Sequence, residues 1–254
     1  MTRGMHIVIP SGAPVHRGRT AMRVTRLSRL AGVLGVLTLA ACSSSRRDEG
    51  TKQARESSEV HTLRDATVTL FPGHCAGVIV ADGRHALTAA HCIDVIAGER
   101  QPVVFRDGKM LSGVVKLVDH IRDVAIIRFD EAAPVRPLPL ASALPMPGAG
   151  LLFFGRNDRP NEPQEVELKR LGRCPSLPGV PQALFTSLHG EKGDSGAPVV
   201  DRELHVVGLV HGGAACSIAT PTAEFAPVLD TLVAELAHPE PEQGVGGAGN
   251  AGQH

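Results

Sequence analysis

Three short segments of this 254-residue chain hold the side-chain types from which nucleophilic catalysis can be built. Leu87-Thr88-Ala89-Ala90-His91-Cys92 carries a histidine, and Asp123-Val124-Ala125-Ile126-Ile127 opens an apolar run with an acid. Gly193-Asp194-Ser195-Gly196-Ala197-Pro198 sets a serine in a glycine-flanked loop. A serine hydroxyl is a weak nucleophile at neutral pH and needs an adjacent base; histidine is the side chain whose charge changes near neutrality. Blander readings stand beside each residue. A lone histidine is more often a satisfied structural group, and Asp123 could be a surface acid at a strand start. Asp119 competes with it four residues earlier, but the apolar run starting at Val124 favours Asp123.

The elements that must position these residues read as strands and turns. Val78-Ile79-Val80 and Ala86-Leu87-Thr88 flank Asp82-Gly83, a strong hairpin signal, and Val103-Val104-Phe105 and Val114-Val115 flank Asp107-Gly108 in the same way. Further apolar runs cover 124–129, 151–154, 184–186, 198–200 and 206–210. Apolar residues recur three and four apart over 227–236, which predicts a helix. Many short strands at close spacing predict an all-β sandwich or barrel, and periodicity does not choose between the two.

Taken in the order His, Asp, Ser, the three segments resemble the chymotrypsin/trypsin-like serine protease family. There the histidine sits in TAAHC, the acid in D-[IV]-A-[LI]-[LI], and the nucleophile in GDSGGP. The resemblance covers about 173 residues. It implies two six-stranded antiparallel β-barrels with a C-terminal helix and the site in the cleft between them. It also implies a serine endopeptidase acting on protein or peptide substrates through an acyl-enzyme, with no cofactor and no metal. In that reading His91 takes the Ser195 proton and later gives it to the leaving amine. Asp123 orients the imidazole, and the N–H groups of Gly193 and Ser195 form the oxyanion hole. The alternative from a different class is a latent or silent protease-like domain that binds a partner without cleaving it.

Further expectations follow from the resemblance. Cys75 and Cys92 match the family bridge that ties the histidine loop to the preceding strand. Cys174 and Cys216 match halves of two other bridges whose partners are missing, so these two are expected to pair with each other. The adjacent pairs His74-Cys75 and His91-Cys92 could alternatively make a two-His, two-Cys zinc set, at the cost of the catalytic histidine. His189 stands at the pocket floor in place of the Asp that selects Lys or Arg, and Lys192 lies near the mouth. Val210-His211-Gly212-Gly213 stands where the family reads Val-Ser-Trp-Gly. Lys192 and the two histidines raise the expectation of an acidic P1 residue, against the plainer one that His189 and His211 bond to loops. No Ile-Val-Gly-Gly-like activation segment lies upstream of Cys75, so Asp194 is expected to pair internally with a basic side chain, without proteolytic activation.

Composition narrows the rest. Lys and Arg number 26, Asp and Glu 26, and there is neither Trp nor Tyr. That excludes a generally basic nucleic-acid binder and an aromatic stacking platform. Residues 1–41 carry six Arg and no acid, so without them 20 basic residues face 26 acidic, a net charge of −6. Arg23, Arg26 and Arg29 precede the uncharged stretch Leu30–Ala41, which is too short to span a bilayer. With Leu39-Ala40-Ala41-Cys42 it resembles a bacterial lipobox, giving residues 1–42 as an export signal, Met22 as the better start and Cys42 as the lipidated residue. The expected product is a monomeric cell-envelope lipoprotein, periplasmic or on the outer surface, with Ser43 permitting outer-membrane sorting; the alternative is an ordinary cleaved signal with an incidental Cys42 and a secreted product. Residues 43–65 read as a solvated tether, 66–238 as the protease domain, and the Gly/Pro-rich 239–254 as a loose tail.

Overall fold

A computed structural model describes residues 56–156, 162–212 and 218–237. Each predicted hairpin closes on its turn. Strands β2 (Ala76–Val80) and β3 (His85–Thr88) pair antiparallel with Val78 opposite Leu87. The Asp82 carboxylate accepts the Arg84 N–H at 2.9 Å, and Gly83 takes a φ of 80° that glycine adopts without a Cβ clash. Strands β4 (Arg100–Val104) and β5 (Met110–Asp119) likewise meet across the Asp107-Gly108 turn. With β1 (Thr67–Leu70) and β6 (Val124–Arg128) they close a six-stranded barrel in the order β1-β2-β3-β6-β5-β4.

The second barrel repeats the architecture. It contains β7 (Gly150–Phe153), β8 (Gln164–Gly172), β9 (Ala183–Thr186), β10 (Pro198–Val200), β11 (Val206–Val210) and β12 (Ile218–Pro221), closing in the order β10-β11-β12-β9-β8-β7. Closure leaves neither sheet with an unpaired edge. The fold is therefore the all-β double barrel that the resemblance implies, and the predicted helix appears as α2 (Ala226–Ala237).

The seam between the barrels is a hydrophobic core of its own. Val78, Leu87 and Ile126 of the first barrel pack in one cluster with Val200, Val206 and Leu209 of the second. Leu229 of α2 and Leu63 join them. Leu63 corrects the expected tether: residues 56–66 form a helix, α1, and Leu63 is fully buried. The stretch 43–65 offers few apolar side chains, but Leu63 needs only this one seam to fill. Thr67 Oγ1 donates to the Leu63 carbonyl at 2.8 Å, leading α1 directly into β1. The Arg64 guanidinium lies 5.9 Å over the Phe154 ring. Among the described residues no helix is long and apolar enough to cross a membrane.

Candidate active site

Strand pairing alone brings His91 and Asp123 together. The end of β3 lies beside the start of β6, with Thr88 opposite Ala125. His91 follows β3 in a single 3-10 turn, Ala90–Cys92, and Asp123 immediately precedes β6. A disulfide from Cys92 to Cys75, just before β2, pins that turn. With both sulfurs consumed, the two-His, two-Cys zinc alternative is excluded. Asp123 holds a φ of 57°, a left-handed backbone that aspartate tolerates better than most residues. Its competitor Asp119 is a turn former: the carboxylate accepts the N–H groups of Ile121 and Arg122 at 3.0 and 2.9 Å and the Arg122 guanidinium at 2.8 Å.

The Asp123 carboxylate is buried and held from two sides. The His91 N–H donates to Oδ1 at 2.9 Å, and His91 Nδ1 lies 2.9 Å from both oxygens. His211 Nδ1 makes a short hydrogen bond to Oδ2. Burial opposes ionisation of Asp123, but the bonds from His211 and His91 outweigh it and lower the carboxyl to about 2. The hydrogen bond from Asp123 raises the His91 pKa above its ordinary 6.5, partial burial opposing it and the carboxylate charge adding to it. The arrangement keeps Asp123 ionised at neutral pH and fixes a hydrogen on His91 Nδ1, which leaves Nε2 as an acceptor.

The serine loop of the second barrel docks on the same corner of the first. The Ala76 N–H donates to the Ser195 carbonyl at 2.9 Å, and Cys92 Sγ lies 3.8 Å from that oxygen. Gly196 makes the approach possible: a Cβ there would stand 2.2 Å from the Ala76 carbonyl oxygen and 2.4 Å from Thr88 Oγ1. Its φ of 81° and the φ of 97° at Gly193 fold the loop tightly around Ser195. The Ser195 hydroxyl donates to the His211 carbonyl oxygen at 3.5 Å, a long and weak bond. Asp194 is buried; its Oδ2 accepts the Glu191 N–H at 2.6 Å, and a Cβ on Gly155 would come within 2.5 Å of Oδ1.

The expected pocket residues separate. His189 is exposed and lines a small pocket with Phe153, Gly155, Gln164 and Glu191. Lys192 is exposed and Gly212 half-buried beside Ser195, where a Cβ would lie 3.1 Å from Oγ. His211 departs from the expectation: its ring, set edge to face against His91 at 5.6 Å, turns to Asp123 instead of serving the pocket. Its position, where the motif of the resembled family reads Ser, signalled a substitution but not its direction. Cys174 is buried among Leu177, Val180 and Ile218, while Cys216, Gly213 and Cys42 lie outside the described residues.

Comparison with known proteins bears on the family and the fold. The family model for the trypsin-like peptidase domain matches residues 75–209. A candidate serine protease of Synechocystis, HhoA, is 26% identical over 184 residues; the match covers 68% of this chain and 46% of that protein. The chain thus spans about half the length of that curated relative. The crystal structure of Rv3671c protease in an inactive form superimposes with a TM-score of 0.55 at 22% identity, covering 68% of this chain and 91% of the other, a likeness of fold. With the matched family model spanning both the histidine turn and the serine loop, the chain belongs to the trypsin-like peptidase family.

Proposed function

We propose that this chain is a serine endopeptidase using His91, Asp123 and Ser195. The observation that carries the reading is the buried Asp123 carboxylate held against Nδ1 of a half-exposed His91 on the corner where the Ser195 loop docks. His91 Nε2 removes the Ser195 proton as Oγ attacks the substrate carbonyl. Asp123 steadies the resulting imidazolium, whose raised pKa reflects that support. The Gly193 and Ser195 N–H groups receive the oxyanion, a contribution of about 3 kcal/mol per donor. His91 then protonates the leaving amine, and water, deprotonated by the same ring, hydrolyses the acyl-enzyme.

A fluorophosphonate probe tests the assembly on protein folded in an oxidising host. Covalent label on Ser195 that disappears in Ser195→Ala and His91→Ala supports the enzyme. A folded, disulfide-intact protein that takes no label overturns it. One observation favours the second reading, a latent domain: the Ser195 hydroxyl is bonded to the His211 carbonyl oxygen rather than to His91. In an active enzyme that weak bond yields by rotation about the serine Cα–Cβ bond, which costs little.

The same proposal places the domain outside the cytoplasm, exported by residues 1–42 and anchored by lipid on Cys42. A Cys42→Ala variant that stays in the membrane fraction would remove the anchor from the reading.

A further inference from the structure

Beyond the triad, Asp123 carries a second imidazole. His91, Asp123 and His211 each offer one ligand atom, and the three atoms lie within 4.8 Å of one another. We infer that His91, Asp123 and His211 form a binding site for a borderline divalent cation, with zinc(II) the foremost case, and that its occupation silences Ser195. The inhibitory half rests on the function proposed above; the binding half does not.

The donor chemistry is that of zinc: two imidazole nitrogens and a carboxylate oxygen, with a fourth position left for water. Ligand atoms about 2.0–2.1 Å from a tetrahedral ion stand roughly 3.3 Å apart. The His91 Nδ1 to Asp123 pair, now at 2.9 Å, opens by only a few tenths of an ångström to reach that spacing. Access comes from the His91 side: its side chain is 44% exposed, against 15% for His211 and 5% for Asp123.

Proton balance explains the silencing. In the metal-free site each neutral ring holds its hydrogen on Nδ1, facing Asp123. The ion takes the Nδ1 lone pair of each ring and the hydrogen moves through solvent to Nε2, with no net proton lost. His91 Nε2 then carries a hydrogen and cannot accept one from Ser195, even though the ion never touches the serine. Among the described residues two other donor groupings do not compete. Cys75 and Cys92 beside His91 are tied in a disulfide, and Asp201, Glu203 and His205 form a surface turn in which Asp201 Oδ1 accepts the Glu203 and His205 N–H groups at 3.0 and 2.8 Å.

The test titrates zinc chloride into the untagged, chelator-stripped protein by calorimetry and follows fluorophosphonate labelling in parallel. One site per chain is expected. Affinity should fall at least tenfold in His211→Ala and in His211→Gln, whose amide can still donate to Asp123 and so guards against misfolding. It should be unchanged in Ser195→Ala and in the surface control His205→Ala. Labelling should fall at least tenfold at saturating zinc and return with chelator. Undiminished affinity in folded His211→Gln, or no heat up to 100 times the protein concentration, overturns the site. Binding at His211 with labelling unaffected overturns the silencing. Absence of labelling before any zinc is added, with the calorimetric site intact, instead sinks the serine protease reading and leaves the cation site standing.

Discussion

His91 grips Asp123 twice: its backbone N–H and its ring Nδ1 each lie 2.9 Å from Oδ1 of the same carboxylate. The first contact fixes where the carboxylate sits relative to the 3-10 turn, and the second sets the ring against it. An amide in place of the acid would keep the shape but present N–H groups to a nitrogen that already carries hydrogen. Asp123→Asn should therefore leave the fold intact by circular dichroism and slow labelling of Ser195 by about 10⁴-fold. A loss below tenfold would remove Asp123 from the machinery.

The pH dependence has two limbs with opposite signs. Asp123 titrates near 2 in the fold against an ordinary 3.8, so its stabilising contribution is complete above the ordinary value and is lost as pH falls from there through 2. The difference corresponds to roughly 2 kcal/mol. His91 is raised above 6.5, so its contribution is present below that value and disappears as pH rises through the folded one. Labelling needs the neutral ring, so its rate should climb over the same upper interval, with a midpoint above 6.5. Chelator-treated protein should show both limbs, by urea denaturation at each pH and by probe kinetics. A rate midpoint below 6 would contradict the His91–Asp123 coupling.

Two histidines of the expected pocket should now behave differently. His211 touches Asp123, so His211→Ala should slow all peptides by a similar factor, about tenfold, equivalent to about 1.4 kcal/mol of barrier. His189 lines the pocket beside the serine loop, so His189→Ala should reorder P1 preference while sparing the labelling rate. A peptide-library profile of both variants separates the roles. Specificity that shifts only in His211→Ala would reverse them.

Gly196→Ala should cost roughly 2–5 kcal/mol, combining overpacking with left-handed backbone strain. The added methyl would meet the Ala76 carbonyl oxygen at 2.2 Å, a backbone atom that cannot move aside cheaply. Chemical denaturation measures the loss, and a cost under 1 kcal/mol would mean that the loop can lift from the first barrel.

Opening the Cys75–Cys92 bridge frees a loop spanning 17 residues of separation, and the paired Ala variant should lose about 3 kcal/mol. The comparison is the denaturation midpoint of that variant against the oxidised parent.

What the sequence displayed was local or carried by resemblance. The Asp-Gly turns announced both hairpins because their signal needs no distant partner. Strand β8 escaped: in Gln164–Gly172 Val166 and Leu168 are buried between charged neighbours and Leu171 is partly buried, so no apolar run marks it. Helix α1 escaped for a different reason. Leu63 has little apolar company in its own segment, and the cluster that receives it is assembled from both barrels. His211 could be placed in the chain, but its direction depends on strand β11 delivering it behind Asp123, a matter of three-dimensional packing.

The seam cluster has a consequence for how the molecule fails. His91 and Ser195 ride on different barrels, and a cleft assembled from two bodies is vulnerable to shear between them. Here Leu87 and Leu209 share one buried cluster, with Leu63 and Leu229 driven in from the two flanking helices. Neither barrel can melt without exposing apolar surface on the other, so thermal unfolding should proceed as a single cooperative event. Trimming either helix would then act on the cleft from a distance, by loosening the wedge that keeps the two halves in step.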